Sequence, residues 1–400
     1  MGRPNRQHSA WVYIVAVLLA VLNAVLGSGC TSHRPVVSDA ALGDAVRAKL
    51  SAVDQAMGVD PRLVIAEITV NVSGGNVTLA GVVSEKELRD AYVKAAGQVD
   101  GVRAVTDKIR LLPDPRLGKT TMGVISVPVA DLGDAPGQST GDHRVTQALL
   151  GAVVDVLQEQ SGWYRVRMED KYLGWISGRD LVLVTPEQAA NWRTGGQARV
   201  VRRFATVYQE ASVHSPVVTK VVMGTILPVL PAAKAGGFVL AGLPGGRQGY
   251  VRQDDVQVYT SYSALKSVRG TVDDLVATAL SFRGVHYLWG GSSPYGFDCS
   301  GFTQFVYGYN GFALPRDTDM QFHVGQAVPD RAHLEPGDLV FFSTYKAGPS
   351  HVGIYIGNGR YINAADPGVV VYSFIPTDAD YNATLDRQYI GARRVISRGH

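Results

Sequence analysis

Glycine and proline punctuate this sequence along its whole length, with 45 glycines and 19 prolines. Both interrupt regular elements, glycine through its wide conformational freedom and proline through its fixed φ and missing donor. A chain broken this often reads as several short-stranded β modules joined by turns. The length of 400 residues gives room for roughly two to four domains. At 46% hydrophobic and 18% charged, the composition is that of ordinary globular proteins. The net charge of +3 is small for the length and no concentrated basic run is present. Nucleic acid is therefore excluded as a partner.

Only two cysteines occur, Cys30 and Cys299. Arg3 and Arg6 precede an apolar stretch from Trp11 to Leu26, followed by the small residues Gly27, Ser28 and Gly29. This order reads as a secretory signal over residues 1–29. The apolar stretch is shorter than the ~20 residues that span a bilayer comfortably. An uncleaved anchor helix is the alternative, and both readings place the remainder outside the cytoplasm. The stretch Leu26-Gly27-Ser28-Gly29-Cys30 resembles a bacterial lipobox. That resemblance implies cleavage before Cys30, lipidation of its thiol and a membrane anchor. With Thr31 next, it implies a periplasmic lipoprotein held in the outer membrane, or on the outer face of the cell membrane. Cys299 then has no intramolecular disulfide partner and can remain a thiol even in an oxidising compartment.

Helical spacing (Leu42, Val46, Leu50, Val53) is followed by an alternating run Val64–Val70, a Gly74-Gly75-Asn76 turn and a second strand from Val77. Ser84 with Glu87 predicts a capping box opening a helix to about Gln98, and Val105–Leu112 predicts a closing strand. The order α-β-β-α-β, with Asn76-Val77-Thr78-Leu79-Ala80-Gly81 and Gly101-Val102, resembles the BON domain over residues 38–113. The resemblance implies an envelope or phospholipid surface as partner; a plain packing module is the competing reading. Pro113-Asp114-Pro115 predicts a linker.

Two β-rich segments follow, 121–185 and 197–260, with polar residues 186–197 between them. Gly151, Trp163-Tyr164-Arg165-Val166 and Gly174-Trp175-Ile176 in the first are echoed by Gly224, Phe238-Val239 and Gly249-Tyr250-Val251 in the second. The repeat resembles a pair of small bacterial SH3-like β-barrels, the first similar to the barrel of cell-wall peptidases. Trp163 and Trp175 are either exposed aromatics that hold a glycan or peptide, or barrel core.

Beyond Thr271 the pattern changes. Val272, Leu275, Val276 and Ala279 mark one apolar helix face, with Thr271 and Asp274 positioned to cap it. Asp298-Cys299-Ser300-Gly301-Phe302 opens a second apolar helix. A cysteine in a first helical turn faces unpaired N–H groups and the positive end of the dipole, which predicts a lowered thiol pKa. His351 opens the apolar strand Val352–Ile356, and Asn363 lies on the next strand, Arg360–Ala364. An amide oxygen there would orient the imidazole. The pair Cys299 and His351 is the constellation for thiol nucleophilic catalysis, His351 acting as base. No histidine spacing predicts a metal site, and no cofactor is implied.

Tyr287-Leu288-Trp289-Gly290-Gly291, Phe297-Asp298-Cys299-Ser300-Gly301, Leu314-Pro315-Arg316-Asp317-Thr318, Pro336-Gly337-Asp338-Leu339-Val340-Phe341-Phe342 and His351-Val352-Gly353-Ile354 together resemble the NlpC-type papain-like cysteine peptidases over residues 268–398. The resemblance implies a C-terminal α+β papain-like domain with Cys299 as nucleophile, His351 as base, Asn363 as orienting residue where the family often has histidine, and Tyr287 as oxyanion donor. It implies Asp298, Ser300, Arg316 and Trp289 in the substrate cleft; Asp298 as a cap and Arg316 as a structural ion-pair partner are the bland alternatives. The implied reaction is hydrolysis of the γ-D-glutamyl–diamino acid bond in peptidoglycan stem peptides or muropeptides, with the barrels walling the cleft. Two rivals stand beside it. An amidase or other acyl-transfer enzyme would use the same thiol, and a non-catalytic wall-binding lipoprotein would need no thiol at all.

Overall fold

The computed structural model describes residues 38–231 and 236–396. The export segment and Cys30 lie outside these residues. Among the described residues no helix is long and apolar enough to cross a membrane.

The N-terminal module runs α1 (Asp39–Met57), β1 (Ala66–Ser73), β2 (Asn76–Val83), α2 (Lys86–Gly97), β3 (Ala104–Leu111). The first two strands form an antiparallel hairpin and the third lies parallel to the second. Gly74 and Gly75 close the hairpin with φ of 55° and 81°, a conformation only glycine adopts freely. Val46, Leu50, Val77, Leu79, Leu88 and Tyr92 form the core between helices and sheet. The order matches the expectation, but the Ser84–Glu87 capping box does not form. Ser84 continues the strand ladder, its N–H bonded to the Ile65 carbonyl, and its Oγ accepts from Ile65 N–H at 3.0 Å. The helix therefore starts behind Glu85, whose side chain makes no cap. Pro113-Asp114-Pro115 is a fixed joint, not a loose tether: Asp114 is buried, its N–H bonds the Leu157 carbonyl at 2.7 Å, and its carboxylate takes Arg116.

The first barrel comprises β4 (Met122–Ile125), β5 (Val129–Gly133), β6 (Arg144–Leu149), β7 (Val153–Gln160), β8 (Trp163–Arg167), β9 (Leu173–Ser177) and β10 (Leu181–Val184) in the order β10-β4-β7-β8-β9-β5-β6. Trp175 is buried in it, whereas Trp163 is only half-buried. The polar connector folds as α3 (Pro186–Trp192), opened by a Thr185–Gln188 capping box. The second barrel is built from β11 (Gln197–Val200), β12 (Phe204–Tyr208), β13 (Val217–Val222), β14 (Ile226–Pro228), β15 (Phe238–Leu243), β16 (Arg247–Arg252) and β17 (Val256–Tyr259), in two sheets around one core of Val200, Val207, Val221, Leu227 and Val251.

The C-terminal domain follows α4 (Tyr262–Ser267). It contains α5 (Val272–Leu280), the short hairpin β18 (Ser292–Ser293) and β19 (Gly296–Phe297), α6 (Cys299–Tyr309), α7 (Thr318–Gln321), β20 (Gln326–Val328), β21 (Leu339–Phe342), β22 (His351–Gly357), β23 (Arg360–Ala365), β24 (Gly368–Ser373), α8 (Ala383–Gln388) and β25 (Tyr389–Arg394). The six longer strands form an antiparallel sheet in the order β20-β25-β21-β22-β23-β24. The expected Thr271–Asp274 capping box opens α5. Leu275, Phe302, Val306 and Tyr307 from the helices, with Phe282 just after α5, pack against Phe341, Val352, Ile354 and Ile362 from the sheet, which seats α6 over β22 and β23.

Candidate active site

Three elements bring Cys299, His351 and Asn363 together. The helix α6 begins with Cys299, the strand β22 begins with His351, and β23 carries Asn363. Register pairs Asn363 with Gly353, so His351 and Asn363 are diagonal neighbours on one sheet face. A Cβ at residue 353 would come within 3.0 Å of the Asn363 Cβ, so glycine leaves room for the two side chains to meet. They do: His351 Nε2 lies 2.9 Å from Asn363 Oδ1, and Asn363 Nδ2 donates to the Val370 carbonyl at 3.3 Å. An amide oxygen only accepts, so Nε2 carries the proton and Nδ1 is the basic nitrogen. Cys299 Sγ lies 3.6 Å from Thr318 Oγ1.

The expected acidification of the thiol does not occur in this resting arrangement. Burial pushes the Cys299 thiol up to about 11, with the Asp298 charge adding to it; the Thr318 hydroxyl, the Val352 N–H and Arg316 only offset this. Burial is the larger cause, and the helix cap adds the second. Asp298 is the N-cap residue of α6 and takes the Gly301 N–H at 2.6 Å, so its carboxylate occupies the helix end that would otherwise face the sulfur. Burial likewise lowers the His351 pKa, against the Asn363 bond and the Asp298 charge. The resting cleft thus holds a neutral thiol and a neutral imidazole.

Asp298 and Arg316 also depart from the picture of free substrate-binding groups. Arg316 Nη2 and Nη1 donate to the two Asp298 oxygens at 2.6 and 3.1 Å, and Nη1 donates to Ser300 Oγ at 2.9 Å. Its Nε reaches Thr146 Oγ1 on β6 at 3.1 Å, and the residue is only 2% exposed. The two charges satisfy each other, and the guanidinium ties the first barrel to the start of α6. Gln321, fully buried, completes the frame: its amide donates to the Ser300 and Pro315 carbonyls and accepts from Thr303.

All eight residues singled out in this domain, except Asn363, line one cleft of about 590 Å³. The Tyr287 hydroxyl keeps its proton at neutral pH, because burial and the neighbouring Cys299 and Asp298 raise its pKa, so it can serve as a donor. Trp289 is 43% exposed and stands edge-on to Tyr345, ring centres 6.1 Å apart. The cleft also takes residues that sequence reading did not single out. Arg144 and Tyr172 come from the first barrel, Asp317, Thr318 and Asp319 from the segment around α7, and Arg62 from the N-terminal module. The Arg316-Asp317-Thr318 run carried a signal for the α7 group. Arg62 carried none, since its partners in the cleft lie 255 and 257 residues away.

The profile of the NlpC/P60 family matches residues 284–394, that of the BON domain residues 39–113, and that of the bacterial dipeptidyl-peptidase Sh3 domain residues 136–181. Over 263 residues the chain is 33% identical to gamma-D-glutamyl-L-lysine dipeptidyl-peptidase of Bacillus cereus, an overlap covering 63% of this chain and 75% of that protein. The protein of the same name in Bacillus subtilis is 29% identical over 271 residues, covering 62% of this chain and 81% of that one. A crystal structure of an NlpC/P60 family protein from Bacillus cereus superposes with a TM-score of 0.59 at 28% identity, covering 69% of this chain and 100% of that one.

Proposed function

The chain belongs to the NlpC/P60 family, and from that premise we propose that it is a cysteine peptidase cutting the γ-D-glutamyl–diamino acid bond of peptidoglycan stem peptides. The observation that carries the reading is a single cleft lined by a helix-start cysteine and a strand-start histidine, with a buried asparagine bonded to that histidine. His351 Nδ1 takes the proton of the Cys299 thiol as the sulfur attacks the carbonyl carbon, a general-base route that suits a neutral resting pair. The Tyr287 hydroxyl and the Cys299 backbone N–H receive the oxyanion. His351 then protonates the leaving amine, and water releases the acyl group. Trp289 and Ser300 contact substrate, whereas Asp298 and Arg316 shape the cleft floor through their mutual pair.

The first barrel walls one side of the cleft with Arg144 and Tyr172, which supports short peptides with a free N-terminal L-alanine over glycan-linked stems. The domain limits of 38–113, 121–185, 197–260 and 268–398, the acylated Cys30, outer-membrane anchoring and a lipid or envelope surface for the BON domain belong to the same proposal. The test is mass spectrometry of defined muropeptides incubated with wild type and Cys299→Ala. A new N-terminal diamino acid made only by wild type is expected. Release of lactyl-ether glycan would favour the amidase, and a fully active Cys299→Ala would end the thiol mechanism.

A further inference from the structure

We infer that Arg62 of the BON domain is a positioning residue of the peptidase site, clamping the Asp317–Asp319 turn that holds Thr318 against the Cys299 sulfur. The inference rests on the thiol reading above. Arg62 lies in the segment between α1 and β1 and reaches into the cleft. Its Nη1 donates to Asp317 Oδ2 at 2.8 Å and to Asp319 Oδ1 at 2.9 Å. Its Nη2 donates to Asp319 Oδ2 at 2.9 Å and to Asp60 Oδ2 at 2.7 Å, and Nε to Asp60 Oδ1 at 3.0 Å. Every donor of the planar fork is therefore engaged, an arrangement the point charge of lysine could not reproduce. The first barrel closes the junction: Leu173 N–H donates to the Arg62 carbonyl at 2.8 Å, and the Tyr172 hydroxyl donates to Asp317 Oδ2 at 2.9 Å.

Thr318 sits between the two clamped aspartates, buried, with its hydroxyl on the sulfur. Docking of the BON domain does not need this clamp. Ile65, Val82 and Leu112 already pack on Leu157 and Leu173, and Arg167 bonds Glu85 at 2.8 Å. What Arg62 adds is order in the turn beside the nucleophile. Without it, the turn that presents Thr318 to the sulfur loses its brace. A displaced Thr318 hydroxyl no longer supports the sulfur, which disfavours thiolate.

The test uses the full chain and reads the rate of Cys299 alkylation by iodoacetamide against pH, alongside kcat and KM on a short stem peptide. Arg62→Ala is expected to move the alkylation profile about one pH unit alkaline, which is about tenfold slower reaction at a given pH. It should lower kcat more than it changes KM. Asp319→Ala leaves the BON domain intact, so it reads the clamp even where Arg62→Ala melts early. The double variant should alkylate no more slowly than the slower single. Arg89→Ala, which breaks an ion pair within the BON domain, should match wild type. An unshifted profile for Arg62→Ala, or effects of the two singles that multiply in the double, would overturn the clamp. Activity in Cys299→Ala would instead overturn the peptidase reading, so the two failures are distinguishable.

Discussion

At the scale of single residues, the Cys299 thiol is governed by burial rather than by the helix end. The lowered pKa of His351 keeps the imidazole unprotonated through neutral pH. The dependence of kcat/KM on pH should therefore fall only on the acid side, below the ordinary histidine value of ~6.5, and stay flat toward the alkaline pKa of the thiol. An acid limb centred above neutrality would contradict this. Asn363→Ala removes the acceptor that selects the tautomer and should lower kcat by about 10²-fold, while Asn363→His should retain most activity; steady-state kinetics decides. Arg316→Ala leaves the Asp298 carboxylate buried without its partner and should destabilise the domain by about 3–5 kcal/mol, measured by denaturant unfolding. The sequence carried the grouping of Cys299, His351 and Asn363 through its motif order, and the fold places them on a helix start and two neighbouring strands. It did not carry the thiol's protonation, which depends on how much water the fold removes and on where the Asp298 carboxylate points.

At the scale of elements, what matters is how closely α6 approaches the loop before it. A Cβ at Gly301 would stand 2.1 Å from the Gly291 carbonyl oxygen, a backbone atom that cannot swing aside. Gly301→Ala should shift the start of α6 and reduce kcat by roughly 10²-fold with far-ultraviolet circular dichroism unchanged, since displacements near 1 Å are enough. The amphipathic spacing and capping residues of α5 were readable because one turn of chain contains the whole signal. The Ser84–Glu87 pattern looked equivalent and misled: Ser84 is still in the ladder opposite Ile65, and strand pairing outcompeted a local cap. Local pattern specifies an element when no distant partner claims the same donor.

At the scale of the whole molecule, the three junction partners are a loop, a barrel and a helix start from separate domains. Leu173→Ala should open the apolar seam between the BON domain and the first barrel. The expected loss is about 2–5 kcal/mol, seen as faster amide exchange along Ile65 and Leu112. The carboxylates of Asp60 and Asp319 sit below their usual pKa because Arg62 bonds them. Groups lowered in this way stabilise the junction above the ordinary carboxylate pKa and lose their contribution as pH falls through the lowered value. Protection at the junction should accordingly hold from neutral pH to about 5 and fade below about 4. None of this seam was legible in sequence: each module announces its own periodicity, but contacts between modules leave no repeat to read. Cys299 is the sole cysteine among the described residues, so a sulfenic acid formed there by peroxide has no resolving thiol beside it. Oxidative damage would then be a one-atom event, recoverable by small reductants at first and permanent once the sulfinate forms.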